Sequence, residues 1–326
     1  EAVYLSSMGK SFRNAKPREL LRFGATRGYV KILLKKQNVT HTVTIDIRSN
    51  TRKIQVDGCY VKRISSLLRL ISVVSFFPDD LYIIKGSPEY RRKFLDRFIT
   101  NFQPEFVEAF IAYRRILNSR NRLLRSASRN ISDLLSVYNE QLVKYGTVIH
   151  RYRLSGVKAL LPYVSTFFCD VIPDGEEIDI KVNSGVPKNN GENFEDSFRR
   201  ALVEMYPKDR LYKVTTVGPH RADLTFLLNG KDMRLFASQG QQRAMVLILK
   251  LAEALFLAKR SGCSPILLLD DISSELDVKH NRILFSYLTE IGSQLWITTT
   301  EKIFEKELKE LEVLKVVSGC LVPNNC

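Results

Sequence analysis

Near the carboxyl end a short, wholly apolar run closes on two acids, ILLLDD at residues 266–271, and a helix-length apolar segment stands in front of it. Four branched aliphatic residues bounded by Pro265 and a charge read as a strand buried on both faces, the kind found in parallel sheets covered by helices. The preceding QQRAMVLILKLAEALFLAKR reads as a helix, and SQLWITTT further on as another strand. Strand and helix in alternation are the rhythm of an α/β sheet with crossover helices. Such sheets bind ligands at the carboxyl edge of their strands, so the pattern delivers Asp270 and Asp271 to the place where chemistry is done.

The rest of the chain divides by composition. Residues 28–62 alternate apolar and polar side chains with Asn, Ser and Asp-Gly punctuation, and read as an antiparallel meander. From Pro88 to about Phe168 the pattern turns helical, with few Gly or Pro. Residues 178–195 read as a strand and a polar loop, and Phe194 to Glu204 as a helix. KVTTVG, DLTFLLNG and MRLFA read as short strands. The expected architecture is a discontinuous α/β head, residues 1–85 and 196–326, with a helical lobe inserted at 86–195.

A chain of 326 residues with 50 Lys and Arg against 35 Asp and Glu carries a net charge of +15. That excess favours a polyanionic partner, since each phosphate contact releases condensed counterions. The five cysteines lack metal-ligand spacing and read as reduced thiols. No apolar stretch is long enough for a membrane span and the start has no signal-peptide pattern, so a cytoplasmic protein without membrane contact is expected.

A carboxylate at the end of the buried strand can hold the water shell of Mg²⁺ on a nucleotide, and its neighbour can orient an attacking water. Asp270 is thus the candidate magnesium-side acid and Asp271 the candidate general base. The same pair could simply cap a following helix. The stretch FASQGQQRAM is the second clue. Ser238, Gln239, Gly240 and Gln241 stand at a helix start, where free N–H groups and the positive helix end make an anion site and Gly permits close approach. The alternative is a capping box, with Ser238 as N-cap and Gln241 three residues on. A polar loop one helix ahead of an acidic strand is the order of an ATP-binding cassette, and this favours the phosphate reading.

These motifs, with PDDLYIIKGSPEYRRKFLD (Pro78 to Asp96), VGPHRADL (Val217 to Leu224), SQGQQRA (Ser238 to Ala244) and LLLDDISSELD (Leu267 to Asp277), resemble the RecF family of DNA replication and repair proteins, relatives of the SMC-type ATPases. The resemblance runs over essentially the whole chain and implies a cassette-type ATPase head with a helical insert. It implies ATP and Mg²⁺ as cofactors, an ATP-dependent homodimer in which the Ser238 loop serves the partner's nucleotide, and Asp277 as a subunit contact. It also implies binding to single-stranded, double-stranded and gapped DNA, with RecO- and RecR-like proteins as partners in recombinase loading. Ala237 and Gln239 replace the Leu and first Gly of the general cassette signature. Asp271 stands where a longer Glu is usual and Thr300 where a switch His is usual, which together imply slow hydrolysis. No GxxxxGK[ST] occurs in the sequence, and Glu1 stands inside what reads as the helix that follows that loop. The expectation is an upstream strand and P-loop, with the chain as written inactive towards ATP.

In the helical region, stepping 100° per residue places Arg114, Arg115, Arg122, Arg125 and Arg129 within about 100° of arc, opposite Tyr113, Ile116, Leu117 and Leu124. No acid interrupts Tyr113 to Asn130. The stripe suits a DNA backbone; a solvated face is the bland alternative. Arg91 and Arg92, with Lys93, extend the expected DNA-binding set, unless Asp96 holds the Arg pair structurally. His220 and Arg221 could contact phosphate or serve the turn. Three rival functions remain: a transporter ATPase subunit, disfavoured by the long basic insert; an SMC-type protein, disfavoured by the lack of sustained heptads in 88–168; and a DNA-binding module with a non-functional ATP site.

Overall fold

The computed structural model describes residues 1–13, 15–62, 64–126, 132–171, 177–270, 283, 286–288, 290–299, 312–317 and 319–322. Helix α1 (Ala2–Met8) buries Tyr4, Leu5 and Met8 and stops at Gly9, whose φ of 63° is left-handed. The meander follows as β1 (Arg27–Lys36), β2 (Val39–Arg48), β3 (Thr51–Val56) and β4 (Cys59–Tyr60), antiparallel in that order. Gln37 and Asn38, both at positive φ, join β1 to β2 in a two-residue turn whose twist matches the strands. Val43, Ile45 and Ile47 point from β2 into the core and are at most 4% exposed. The other face is open to solvent.

Helix α2 (Ile64–Leu70) leads to β5 (Val73–Phe76), and the short α3 (Tyr82–Lys85) follows. Then come the long helices α4 (Pro88–Phe102), α5 (Glu105–Arg125) and α6 (Ser132–Val171), strand β6 (Ile178–Asn183), and helices α7 (Phe194–Glu204) and α8 (Tyr206–Tyr212). Strands β7 (Asp223–Leu228) and β8 (Lys231–Asp232), helices α9 (Met233–Phe236) and α10 (Gln239–Ser261), and strands β9 (Ile266–Asp270), β10 (Leu295–Thr298), β11 (Lys315–Val317) and β12 (Cys320–Val322) complete the described elements. The parallel sheet has the order β10-β9-β5. Helix α10 packs on it, buried almost all round from Ala244 to Leu257, as an apolar helix between layers must be. One core cluster joins α4, α5, α6, α10, β5 and β9. A second lies beneath the meander and holds Tyr4, Val43, Leu67 and Val73.

Three segments differ from expectation. Residues 213–218 form no strand: the side chains of Asn121 and Asp209 accept the backbone N–H of Thr215 and Thr216, both at 2.8 Å, where a sheet partner would otherwise be needed. MRLFA is helical as α9 because the Asp232 carboxylate caps it, accepting from the Arg234 N–H at 2.9 Å. The boundary expected at 195/196 falls across a sheet, since β6 pairs with β7 from Ile178↔Leu228 to Asn183↔Asp223.

Candidate functional site

Asp270 ends β9 at the carboxyl edge of the parallel sheet, partly exposed, and accepts a 2.6 Å hydrogen bond from the Thr298 hydroxyl on neighbouring β10. Arg13, on the segment after α1, approaches the other carboxylate oxygen at 3.9 Å. The edge therefore carries an acid held by a hydroxyl and a cation, with no second described carboxylate beside it. Among the described residues no group of three or more His, Cys, Asp or Glu could enclose a metal. Mg²⁺ fits such a place, because it takes one or two carboxylates and completes its shell with water and phosphate. Asp271, Thr300 and Asp277 lie outside the described residues.

The second part of the site is the start of α10. Ser238 is its N-cap and accepts from the Gln241 N–H at 3.2 Å, while the Gln241 side chain accepts from the Ser238 N–H at 2.9 Å. The capping box weighed from sequence is therefore formed. It leaves Ser238, Gln239 and Gly240 on the surface, with Leu235 and Phe236 of α9 each 68% exposed beside them. A Cβ at Gly240 would meet only Ser238 Oγ, at 3.9 Å, so the loop is open in front.

Behind these elements lies a buried ionic cluster that no motif announced. Lys250, in mid-α10, donates to the Ser75 carbonyl at 2.7 Å and to Asp80 at 2.9 Å, under the rings of Phe76 and Phe94. Arg97 of α4 reaches Asp80 at 3.5 Å, and Asn101 donates to Glu253 at 3.3 Å. Burial, then Arg97, lowers the Lys250 pKa, and burial raises that of Glu253. The cluster ties β5, α4 and α10 together immediately beneath the sheet edge.

The basic residues separate into two groups. Arg114, Arg115, Arg122 and Arg125 are exposed on α5, and none has an ion pair among the described residues. Arg115 lines a groove of about 790 Å³ with Lys62, Lys144 and Tyr138, in which Glu108 is the one acid. Arg129 lies outside the described residues. Arg91 does not belong to this surface: it is 2% exposed, and its guanidinium donates to both oxygens of Asp223 and to the carbonyls of Ile84 and Gly86. Its neighbour Arg92 is half-buried and donates to the Ala222 carbonyl at 2.7 Å. Asp96 holds neither, being taken by Arg153 at 2.8 and 2.9 Å. Helical spacing alone could not foresee this, because the partners stand more than 50 residues away along the chain.

His220 is structural. Its Nε2–H faces the Thr215 carbonyl at 2.9 Å and its Nδ1 accepts from the Tyr113 hydroxyl at 2.8 Å, while burial lowers its pKa to about 4. The imidazole is neutral and committed on both sides; Arg221 beside it is exposed.

No family model matches the chain. A RecF DNA replication and repair protein of Clostridium novyi is 34% identical over 322 residues, spanning 98% of this chain and 88% of that one. The chain belongs to the RecF family of DNA replication and repair proteins. A RecF of Thermoanaerobacter is 35% identical over 328 residues, 99% of this chain and 88% of its own length. Among solved structures, the recombination mediator protein RecF-ATP of the RecFOR pathway superposes with a TM-score of 0.86 at 32% identity, covering 99% of this chain and 86% of that one. An Smc head bound to a domain of ScpA matches at a TM-score of 0.52 and 15% identity, covering 98% of this chain and 84% of that one. The fold is that of the ATP-binding-cassette head shared by RecF and SMC proteins.

Within this RecF fold, sequence reading missed Lys10, Arg13 and Thr298. Lys10 and Arg13 follow α1 in a stretch without motif, and only folding sets Arg13 against Asp270. Lys10 is itself exposed, and the neighbouring protein, then the charges of Arg97, Lys93 and Arg114, lower its pKa. Positive charge therefore continues from the α5 stripe to the segment that reaches the sheet edge.

Proposed function

We propose that the chain is part of the ATP-switched DNA-binding component of a recombinational repair system, gripping duplex and gapped DNA through the outer face of α5. The observation that carries this reading is a row of four exposed arginines, Arg114, Arg115, Arg122 and Arg125, with no carboxylate partner among the described residues. A stabilising surface network would pair such charges; an unpaired row suits a row of phosphates. Membership of the RecF family and the likeness to a RecF bound to ATP support ATP as the switching ligand. The RecFOR pathway of that relative supports RecO- and RecR-like proteins as partners in loading a recombinase. No helix among the described residues is long and apolar enough to cross a membrane.

In this reading Asp270 would hold the water shell of Mg²⁺, with Thr298 and Arg13 fixing its carboxylate, while Asp271 would serve as general base and Thr300 would replace the switch His. When bound, the ion supplies charge neutralisation on the nucleotide phosphates. The Ser238 loop serves a partner's nucleotide in a homodimer. The exposure of Ser238, Gln239 and Gly240 supports this reading, since an open loop is free to meet a second subunit, with Asp277 as the proposed contact. The helical lobe, 86–195 by sequence, is on this view a DNA arm inserted in the head.

Duplex binding measured by anisotropy across a salt series tests the DNA reading. Replacing Arg115, Arg122 and Arg125 with Ala should lower the slope of log K against log salt by about 2.7, at about 0.9 per lost phosphate contact. An unchanged slope sinks the assignment.

A further inference from the structure

The meander presents a second basic surface, chemically unlike the first. On its outer face β1 alternates charge with apolar bulk: Tyr29 is 71% and Leu33 68% exposed, with Lys31 and Lys35 between and beyond them. The register carries this face across the sheet, Tyr29 opposite Asp46 and Asp46 opposite Lys53, while Lys31, Thr44, Gln55 and Tyr60 form the adjoining row. Tyr60 is 62% exposed and Lys53 lies 5.8 Å from its ring centroid. Lys31 and Lys35 have no ion pair among the described residues. Of the described acids in the meander, Asp46 is shared by Arg27 at 2.9 Å and Arg48 at 3.5 Å, and Asp57 at the turn after β3 is held by His41 at 2.7 Å. Nothing described in the chain covers this face, although its reverse is packed core.

We propose that this face is a binding site for single-stranded nucleic acid, whose unpaired bases stack on Tyr29 and Tyr60 while Lys31, Lys35 and Lys53 meet the phosphates. The inference rests on the DNA-binding reading above and assigns the single-stranded segment a place of its own. Exposed rings among unpaired ammonium groups are the two components of sequence-tolerant single-strand binding. A duplex keeps its base faces stacked and cannot use the rings, whereas the rings beside the α5 cations are only partly exposed, Phe110 lying under Arg114 and Tyr138 in the groove with Arg115, so that surface suits paired DNA. Tyr29 and Leu33 stand about 13 Å apart along β1, and Tyr60 lies three strand spacings, about 14 Å, from Lys31. The platform is therefore wide enough for several nucleotides. It adjoins the duplex surface: Lys62, two residues beyond β4, lines the same groove as Arg115. A strand leaving a duplex on α5 would pass directly onto the sheet.

The test compares a labelled dT oligonucleotide with a blunt duplex, with and without ATP and magnesium. Tyr29→Ala with Tyr60→Ala should weaken dT binding at least about fivefold per ring, the lower end of measured base–aromatic stacking, and leave duplex binding within about twofold. Tyr29→Phe with Tyr60→Phe should retain dT affinity, which separates stacking from any change in strand stability. A 5-iodouracil oligonucleotide should crosslink to peptides containing Tyr29 or Tyr60. If dT affinity is unchanged in the Ala pair, or crosslinks fall only on α5, the face is not the single-strand site and the duplex reading stands. If the wild-type chain binds neither probe, both readings fall together.

Discussion

Arginines two residues apart on α5 have opposite fates. Arg122 is exposed and bonds only to Ser119 on its own helix, at 3.2 Å. Arg120 is wholly buried and donates to Asp209 at 2.7 Å, Thr215 at 2.8 Å and Asn139 at 2.8 Å. Within the largely apolar core between α4, α5 and α6, Arg91, Arg120 and Arg153 thus each hold a carboxylate brought from another element. On the outer face of α5 the same residue type has no carboxylate partner among the described residues. The lesson is that arginine content says nothing about a DNA surface until the carboxylates are placed; the cations available to phosphate are those the fold leaves unpaired.

The sharpest way to break this comparison is to remove one member of each group. Arg120→Ala strands Asp209 in the core and should cost about 3–5 kcal/mol in urea unfolding, whereas Arg122→Ala should stay within about 0.5 kcal/mol. Equal losses would abolish the distinction. Lys250→Ala should come next, at about 2–3 kcal/mol, because Asp80 keeps Arg97 at 3.5 Å and the Phe77 N–H at 2.9 Å.

The Ser238 loop sharpens the contrast from the other side, since its capping box is formed and its exposed face is, on the proposed reading, the part that meets a nucleotide. Ser238→Ala should cost about 1 kcal/mol in stability through the lost cap. Ser238→Asp keeps a capping acceptor but sets a negative charge against a phosphate, so stability should hold while ATP-dependent retention on gapped DNA is lost. Retention that survives Ser238→Asp would confine the loop to capping.

A further expected effect is with pH. Burial lowers His220 and His150 to about 4 in the folded chain. An unfolded imidazole takes its proton near 6.5, before the folded one can, so their contribution to stability is complete above that pH and declines as pH falls from about 6.5 to about 4. His220→Gln, which preserves a donor towards Thr215, should flatten the melting temperature over that window. A slope unchanged from wild type would mean that His220 takes its proton at the same pH in the folded and unfolded chain.

Much of this was legible in the chain itself. Four aliphatic residues ending in Asp270 could be little other than a buried strand with an acid at its edge, and period-two alternation marked the meander, because both signals are local and repeat with the backbone. The α5 stripe was legible for the same reason: helical spacing fixes which residues share a face. Ser238 and Gln241 stand three apart, so their capping box could also be weighed before any fold was known.

What local spacing could not carry is the choice of partner across long separations. Arg91 and Asp223 are 132 residues apart, Arg120 and Asp209 are 89 apart, and Lys250 and Ser75 are 175 apart. Whether such a cation is a structural post or a free hand for phosphate depends on which carboxylate packing brings alongside and how far both are removed from water. The stretch 213–218 took side-chain partners in place of a sheet for the same reason. Periodicity determined the elements and their faces; tertiary packing decided which charges were consumed inside and which remained for a ligand, because the cost of burying a charge is settled only by its neighbours in space.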